Sequence, residues 1–257
     1  MDHLSRIGEP FITLSEVDST NNYAMARIAE APVAHGTTWF AWKQTAGKGQ
    51  RGHRWMSAAG ENILMSIVLK PSGLQASNQF YLSAVVALAL HDLIKKYAPD
   101  QAKIKWSNDI YLDDKKAGGI LIENILRGNE WHYAVVGIGL NVNQETFPRD
   151  LPNPVSLRQF TGQPHEVLPL AGALCQHVAE RFASLRPGNF NTILAEYTRA
   201  LYGLNRMQRF QRGEETFEAV IRGVDSQGKL QLQKGAQIFG VDFGEVIFLR
   251  QDHTPIL

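Results

Sequence analysis

The sequence predicts an α+β fold, in which a mixed central sheet flanked by helices precedes a small C-terminal β-barrel. Two observations favour this class. Strand-like and helix-like apolar patterns both occur in the first part of the chain, without the regular alternation of a parallel α/β protein. Beyond that part, short apolar segments separated by glycine turns dominate. The length of 257 residues suits a core domain with a small appendage, which we place at residues 1–203 and 204–257.

The first half of the chain contains two predicted helices and several predicted strands. Residues 10–17 alternate apolar and polar side chains, as a half-buried strand does, and residues 18–21 supply capping groups for a helix over 20–30. Residues 79–97 place apolar side chains on one face at helical spacing, which predicts a second helix. Segments of strand-like composition predict the strands of the core, at 37–43, 62–70, 103–112, 118–126 and 131–142.

The second half begins with a loop and ends with strands. Four prolines in residues 144–165 predict a loop, and residues 167–185 and 190–203 have helical patterns. The short strands of the predicted barrel are 217–224, 229–233, 237–241 and 245–250. About fifty residues is small for an independent domain, so we expect the barrel to pack on the larger part.

Composition excludes several classes of protein. The chain has 26 Lys+Arg and 25 Asp+Glu, so it lacks the basic excess of a general nucleic-acid or polybasic membrane binder. Its single cysteine, Cys175, permits neither an intramolecular disulfide nor a cysteine-rich zinc site. No apolar segment approaches the roughly 20 residues of a membrane span, and the N-terminal sequence lacks a signal-peptide core. We therefore expect a soluble, cytoplasmic protein.

A glycine-rich basic loop, GKGQRG at 47–52, is the first candidate for chemistry. It matches the spacing of the dinucleotide-binding motif, but neither a helix nor an acidic residue about 20 positions later follows it. A P-loop is also excluded, because His53 and Arg54 stand where Lys and Ser/Thr belong. Glycines still permit close approach of backbone amides to a ligand, and Lys48 and Arg51 add positive charge, which favours a phosphate or carboxylate. A flexible, solvated turn is the alternative.

Three further segments combine polar groups with special backbone positions. In residues 103–121, Asp109 and Lys116 bracket an apolar segment, so Lys116 can bind phosphate oxygens and Asp109 can face Mg²⁺. The alternative is a strand followed by a charged, exposed turn, which we favour for Asp113, Asp114 and Lys115 but not for Lys116. Residues 18–21, DSTN, cap a helix or hydrogen-bond a small polar ligand. Residues 137–143, GIGLNVN, form a tightly packed strand or one that a ligand approaches closely.

Together, these segments resemble the motifs of a biotin protein ligase. DSTN, KQTAGKGQRGHRW, KIKWSNDIYLDDKKAGGIL and VGIGLNVN occur in that order, and four ordered motifs are more specific than any one of them. The resemblance covers nearly the whole chain and implies a class II synthetase-like biotin ligase core with a C-terminal SH3-like barrel. The chain departs from the family pattern at three positions. Lys48 and Gln50 stand where arginine is common, and Ser107 stands where proline is usual.

The resemblance implies a monofunctional biotin–[biotin carboxyl-carrier protein] ligase that lacks the N-terminal DNA-binding domain and therefore has no repressor role. The carboxylate of biotin would attack the α-phosphate of ATP and give biotinyl-5′-AMP. A lysine of the carrier domain of a biotin-dependent carboxylase, such as acetyl-CoA carboxylase, would then accept the biotinyl group. Mg²⁺ would accompany ATP, with no metal held by protein ligands alone. No nucleic acid or membrane is expected as a partner, and a homodimer is compatible with the family.

The family pattern also implies site residues. Catalysis would fall to Lys116, Lys48 and Arg51, which screen the two anionic reactants, and to Asp109, which would orient the carrier lysine or accept its proton. The implied biotin-binding residues are Ser19, Thr20, Asn21, Gln44, Gly47, Lys48, Gly49, Gln50, Lys116, Gly118 and Gly119. The implied ATP-binding residues are Arg51, Trp55, Lys105, Asn108 and Asn141, with Trp55 stacking on adenine.

Two other functions stay open at this point. A lipoate or octanoyl transferase would have a similar core, although the glycine loop and the KWSND segment at 105–109 argue against it. A non-enzymatic module that binds a small ligand or nucleic acid would bind it through the barrel. Residues 217–250 carry as many acidic as basic side chains, so they provide no basic stripe for nucleic acid.

Overall fold

The computed structural model describes residues 6–128, 130–249 and the backbone of 255–256. Within them the chain forms a large mixed sheet with helices and a second, antiparallel sheet at the C-terminal end, which confirms the predicted α+β class. No helix in the described ranges is long and apolar enough to cross a membrane.

The larger sheet contains seven of the described strands. They are β1 Phe11–Leu14, β2 Thr38–Ala41, β3 Asn62–Leu69, β4 Ala102–Lys105, β5 Asp109–Leu112, β6 Lys115–Arg127 and β7 Glu130–Asn141. Their order across the sheet is β1-β2-β3-β7-β6-β5-β4. The pair β1–β2 is parallel and the other neighbours are antiparallel, so the sheet is mixed as predicted.

Helices cover the two faces of this sheet unequally. They are α1 Thr20–Glu30, α2 Gln79–Lys95, α3 Leu157–Thr161, α4 Val167–Ala183 and α5 Phe190–Arg199. The helix α2 is buried around most of its circumference, because it packs on the sheet and also against α4 and α5. On the opposite face, Ala24 and Ile28 of α1 pack on Trp39, Val68 and Val135. The rest of that face, over β6 and β7, carries the candidate site.

The second sheet follows the helices. Its strands are β8 Met207–Arg212, β9 Glu215–Val224, β10 Leu230–Lys234, β11 Gln237–Val241, β12 Ile247–Leu249 and β13 Pro255–Ile256. They are ordered β11-β10-β9-β8-β12-β13. One continuous apolar core includes Leu90 of α2 and Phe210 of β8, and Trp106 Nε1 donates to the carbonyl of Gly228 at 2.9 Å. The C-terminal sheet therefore packs on the larger part, as expected. The domain boundary after residue 203 stays a prediction.

Two local predictions needed correction, and one strand was not predicted. Residues 103–112 form a hairpin rather than one strand, since Trp106, Ser107 and Asn108 form a turn between β4 and β5. The predicted loop at 144–165 contains α3, whose N-terminus is a capping box of Ser156 and Gln159. The strand β8 was not predicted, because its mostly polar sequence lacks the alternation of apolar and polar residues that marks a strand. The last residue of the predicted strand 245–250, Arg250, lies outside the described residues.

Candidate active site

A cavity of about 540 Å³ lies where the open face of the larger sheet meets the C-terminal sheet. Its volume is typical of a small-molecule site. The cavity brings together segments that are far apart in sequence, and Lys48 and Lys116 both line it. The other predicted site residues that line it are Ser19, Thr20, Asn21, Gln44, Gly49, Gln50, Arg51, Trp55, Lys105, Asn108, Asp109, Gly119 and Asn141.

The floor of the cavity is made by glycines in neighbouring strands. Gly119 of β6 is paired with Gly139 of β7, and both face the cavity. A Cβ atom on Gly139 would lie 2.5 Å from Cε2 of Trp55, and one on Gly119 would lie 3.2 Å from its Cζ3. The indole of Trp55 therefore lies directly against a floor without side chains, and its Nε1 is buried without a partner among the described residues. Stacking of this ring on adenine stays a prediction.

The N-terminus of α1 forms a buried polar corner beside this floor. The backbone amide of Thr20 donates to Gln44 Oε1 at 2.7 Å, which holds the side chain of Gln44 at the cavity wall. Ser19 occupies the N-cap position, but its hydroxyl makes no capping hydrogen bond. Helix capping therefore does not account for this buried hydroxyl, which lines the cavity.

Two residues that the sequence motifs did not identify hold the polar corner in place. Ser66 of β3 donates to Asn21 Oδ1 at 2.6 Å, and its Oγ lies 2.7 Å from Thr20 Oγ1. Asn21 Nδ2 donates to Glu123 Oε2 at 2.7 Å, so both ends of this amide are assigned by their partners. The signal in the sequence was weak, because Ser66 lies within β3 and Glu123 within β6, both outside the four sequence motifs.

The glycine-rich loop is a short hairpin rather than an unstructured turn. Gly49 N donates to the carbonyl of His53 at 2.7 Å, and Trp55 N donates to the carbonyl of Gly47 at 2.9 Å. The left-handed glycine is Gly52, at φ +80°, whereas Gly49 has φ −115°, which any residue adopts. Gly47 does not line the cavity, and its contact with the ligand stays a prediction. It packs closely on the loop, since a Cβ there would lie 2.5 Å from the carbonyl oxygen of Trp55.

Gly118 and Gly119 face opposite sides of the larger sheet. Consecutive residues of a strand face opposite sides of the sheet. Since Gly119 faces the cavity, Gly118 faces α2, where a Cβ would lie 3.4 Å from Cδ2 of Leu90. It does not line the cavity.

Two lysines of the cavity form ion pairs with carboxylates. Lys116 Nζ lies 2.8 Å from Asp109 Oδ2, and Lys48 Nζ lies 3.5 Å from Glu123 Oε1. Lys105 is only 7% exposed, and burial lowers its pKa to about 8, against the opposing effect of Asp109 and with a further lowering by Lys116. The cavity thus holds two lysines, Lys48 and Lys116, whose carboxylate partners an incoming anion can replace.

Two asparagines that we predict to bind the nucleotide donate hydrogen bonds to backbone carbonyls of the cavity wall. Asn108 Nδ2 donates to the carbonyl of Ile120 at 2.6 Å, and Asn141 Nδ2 donates to the carbonyl of Val155 at 3.1 Å. Both line the cavity, and their contact with a nucleotide stays a prediction. Among residues 6–128 and 130–249, no group of three or more His, Cys, Asp or Glu side chains is arranged to hold a metal ion. Mg²⁺ bound together with ATP stays a prediction.

Two walls of the cavity were not predicted. One comes from the loop before α3 and the other from the segment between β11 and β12 together with β12 itself. No motif marks either segment, because each reaches the cavity only through long-range packing. Their lining residues are Phe147, Asp150, Leu151, Pro152, Asn153, Pro154, Phe243, Gly244, Val246, Ile247 and Phe248.

Residues 14–141 match the model of the biotin/lipoate A/B protein ligase family, a class of protein that the mixed sheet and its cationic cavity fit. The biotin–[acetyl-CoA-carboxylase] ligase of Paracoccus denitrificans is 32% identical over 245 residues, which cover 91% of this chain and 99% of that protein. The bifunctional ligase/repressor BirA of Bacillus subtilis is also 32% identical, over 88% of this chain and 70% of that protein.

A solved structure points the same way. The biotin protein ligase from Aquifex aeolicus in complex with biotin and ATP superimposes with a TM-score of 0.78 at 25% identity, and covers 93% of this chain and 98% of that one. The chain belongs to the biotin protein ligase family, as the four sequence motifs predicted.

Proposed function

We propose that this protein is a biotin–[biotin carboxyl-carrier protein] ligase, which activates biotin with ATP and transfers it to a lysine of a carrier domain. The observation that carries the proposal is the single cavity in which Lys48, Arg51 and Lys116 lie beside the buried polar corner. Such a site provides an uncharged, hydrogen-bonding end and a cationic end. Relatives act as acetyl-CoA-carboxylase ligases, and the Aquifex structure contains biotin and ATP.

The polar corner suits the ureido group of biotin. A ureido group has one carbonyl acceptor and two N–H donors, and Ser19, Thr20 and Gln44 offer hydroxyl and amide groups at the cavity wall. The glycine floor and the ring of Trp55 suit the apolar part of the molecule. A buried corner of this kind discriminates against analogues that lack the ureido group, because its polar atoms would then be left unpaired.

The cationic end suits the first reaction step. A carboxylate oxygen of biotin forms a bond to the α-phosphorus of ATP while the bond from that phosphorus to pyrophosphate breaks. Both reactants are anions, so their approach requires fixed positive charge. Lys116 is held by Asp109 at one side of the cavity and Lys48 by Glu123 at another, and Lys105 adds a buried charge.

In the second step, the amine of the carrier lysine attacks the acyl carbon of biotinyl-5′-AMP, AMP leaves, and the amine loses a proton. The carboxylate of Asp109 is the proposed group that orients this amine or accepts its proton, because it faces the cavity beside Lys116. No nucleophile of the enzyme is required.

Exchange of labelled pyrophosphate into ATP tests the proposal. We expect exchange that depends on biotin, and biotin transfer when a carboxyl-carrier domain is added. Exchange that depends on lipoate instead of biotin would support the alternative function of a lipoate or octanoyl transferase. No exchange with either acid would reject a ligase and favour a non-enzymatic binding module.

A further inference from the structure

The tip of the glycine loop contacts the second sheet. Arg51 Nη1 donates to the carbonyl of Gly244 at 3.3 Å, across 193 positions of sequence. The Cζ atom of Arg51 also lies 5.6 Å from the ring centroid of Phe243, within the range of a cation–π contact. Phe243 and Gly244 belong to the turn between β11 and β12, residues 242–245, which we call the C-terminal turn.

The absence of a side chain at Gly244 leaves room for the guanidinium of Arg51. Gly244 has φ +83°, which disfavours any side chain, and a Cβ atom there would overlap the Cζ and both terminal nitrogens of Arg51. The guanidinium therefore lies directly against the bare Cα of this residue. A larger residue at position 244 would have to displace it.

The C-terminal turn is itself well supported. Asp242 N donates to Glu245 Oε2 at 2.7 Å, and Glu245 N donates to the carbonyl of Asp242 at 3.0 Å. Lys229 Nζ lies 2.7 Å from Asp242 Oδ2. Phe243 stands edge-on to Trp106 of the larger part, with centroids 5.7 Å apart. The turn thus offers a fixed platform to a residue that arrives from the loop.

Arg51 needs such a platform. It adopts φ 55° and ψ 33°, a left-handed conformation that is uncommon outside glycine and persists where its surroundings hold it. Lys48, at the other side of the same hairpin, contacts Glu123 of the larger sheet. The loop is therefore fastened to both sheets, by Lys48 to the first and by Arg51 to the second.

We propose that the C-terminal turn is a clasp that holds the glycine loop over the cavity, with Phe243 and Gly244 acting as positioning residues through Arg51. The proposal rests on the proposed ligase function, since Lys48, Gly49, Gln50 and Arg51 of the loop line the substrate cavity. If only the clasped loop binds substrates, apparent affinity falls in proportion to the fraction of molecules that are clasped. Loosening the clasp then raises KM for biotin and for ATP by the same factor, each measured with the other substrate well below saturation, while kcat stays nearly unchanged.

Gly244→Ala is the decisive variant, and Gly213→Ala is its matched control. Gly213 lies in the turn between β8 and β9 of the same sheet at φ +59°, but nothing lies within 4 Å of a Cβ built there. The control therefore introduces comparable backbone strain without touching Arg51. We expect Gly244→Ala to raise both KM values about fivefold, the scale of one lost cation–π contact. Trypsin should cleave after Lys48 and Arg54 faster by a similar factor.

Phe243→Leu provides a second variant that preserves folding, because Phe243 is exposed. It should change both KM values and the cleavage rate in the same direction. In an Arg51→Ala background, Gly244→Ala should have no further effect, since the clasp acts through that side chain.

Equal behaviour of Gly244→Ala and Gly213→Ala in both assays would overturn the clasp. A rise in only one KM, or an undiminished effect in the Arg51→Ala background, would also overturn it. These outcomes are distinct from failure of the proposed function, in which the wild-type protein itself would show no biotin-dependent exchange while the proteolysis comparison could still be made.

Discussion

Replacing Lys116 with alanine tests the electrostatic basis of the proposed reaction. The Nζ atom of Lys116 lies 2.8 Å from Asp109 Oδ2, and Lys116 faces the cavity. Without this ammonium, the carboxylate of Asp109 faces the arriving anions with one fewer cation to balance it. A hydrogen bond to a charged group contributes about 1.5–3 kcal/mol. Since about 1.4 kcal/mol corresponds to a factor of ten in rate, adenylation should slow by about tenfold to about a hundredfold.

The assay is biotin-dependent pyrophosphate exchange, and Lys115→Ala is the matched control. Lys115 is the preceding residue on the same strand and is exposed rather than lining the cavity. We expect its exchange rate to stay within about twofold of wild type. Thermal unfolding of both variants should be nearly unchanged, because an ion pair with a partly exposed member contributes at most about 1 kcal/mol to stability.

A Lys116→Ala rate within about threefold of wild type would remove this residue from the chemistry. Equal losses in Lys115→Ala and Lys116→Ala would show that the effect is one of general charge and not of position. Loss of exchange together with a large fall in unfolding temperature would indicate that the ion pair is structural.

Three further variants probe other parts of the cavity. Ser66→Ala should weaken biotin binding by about fivefold in calorimetry, since Asn21 Oδ1 loses its donor, and unchanged affinity would contradict a role for the polar corner. Gly139→Ala should raise KM for biotin, because the new Cβ would lie 2.5 Å from Cε2 of Trp55; equal kinetics would show that the indole does not shape the site. The pKa of Lys105 is lowered to about 8 by burial, so KM for ATP should rise between about pH 7 and pH 9, and Lys105→Met should flatten that rise. In the unfolded chain, the side chain of Lys105 has its ordinary pKa of 10.5, so between about pH 8 and pH 10.5 the unfolded state binds more protons than the folded state. The free energy of unfolding should therefore rise with pH over this range in urea titrations of the wild type but not of Lys105→Met.

Local information in the sequence predicted most of the individual elements. The helical spacing of 79–97 corresponds to α2, and the glycine-rich, basic composition of 47–52 correctly marked a segment that lines the cavity. These features depend on neighbours within a few residues, so they can be read without knowing the fold. The order of the four motifs was enough to identify the family.

The tertiary structure decided which of these residues share a site. Whether Gly118 or Gly119 faces the cavity depends on strand register, because a shift of one residue exchanges the two faces of a strand. Lys48 pairs with Glu123, which lies 75 residues further along the chain, and Arg51 contacts Gly244, which lies 193 residues further along. No local pattern encodes such contacts, since they exist only after the two sheets have packed together. The sequence alone thus determined the chemical groups available to this protein, while packing determined which of them meet.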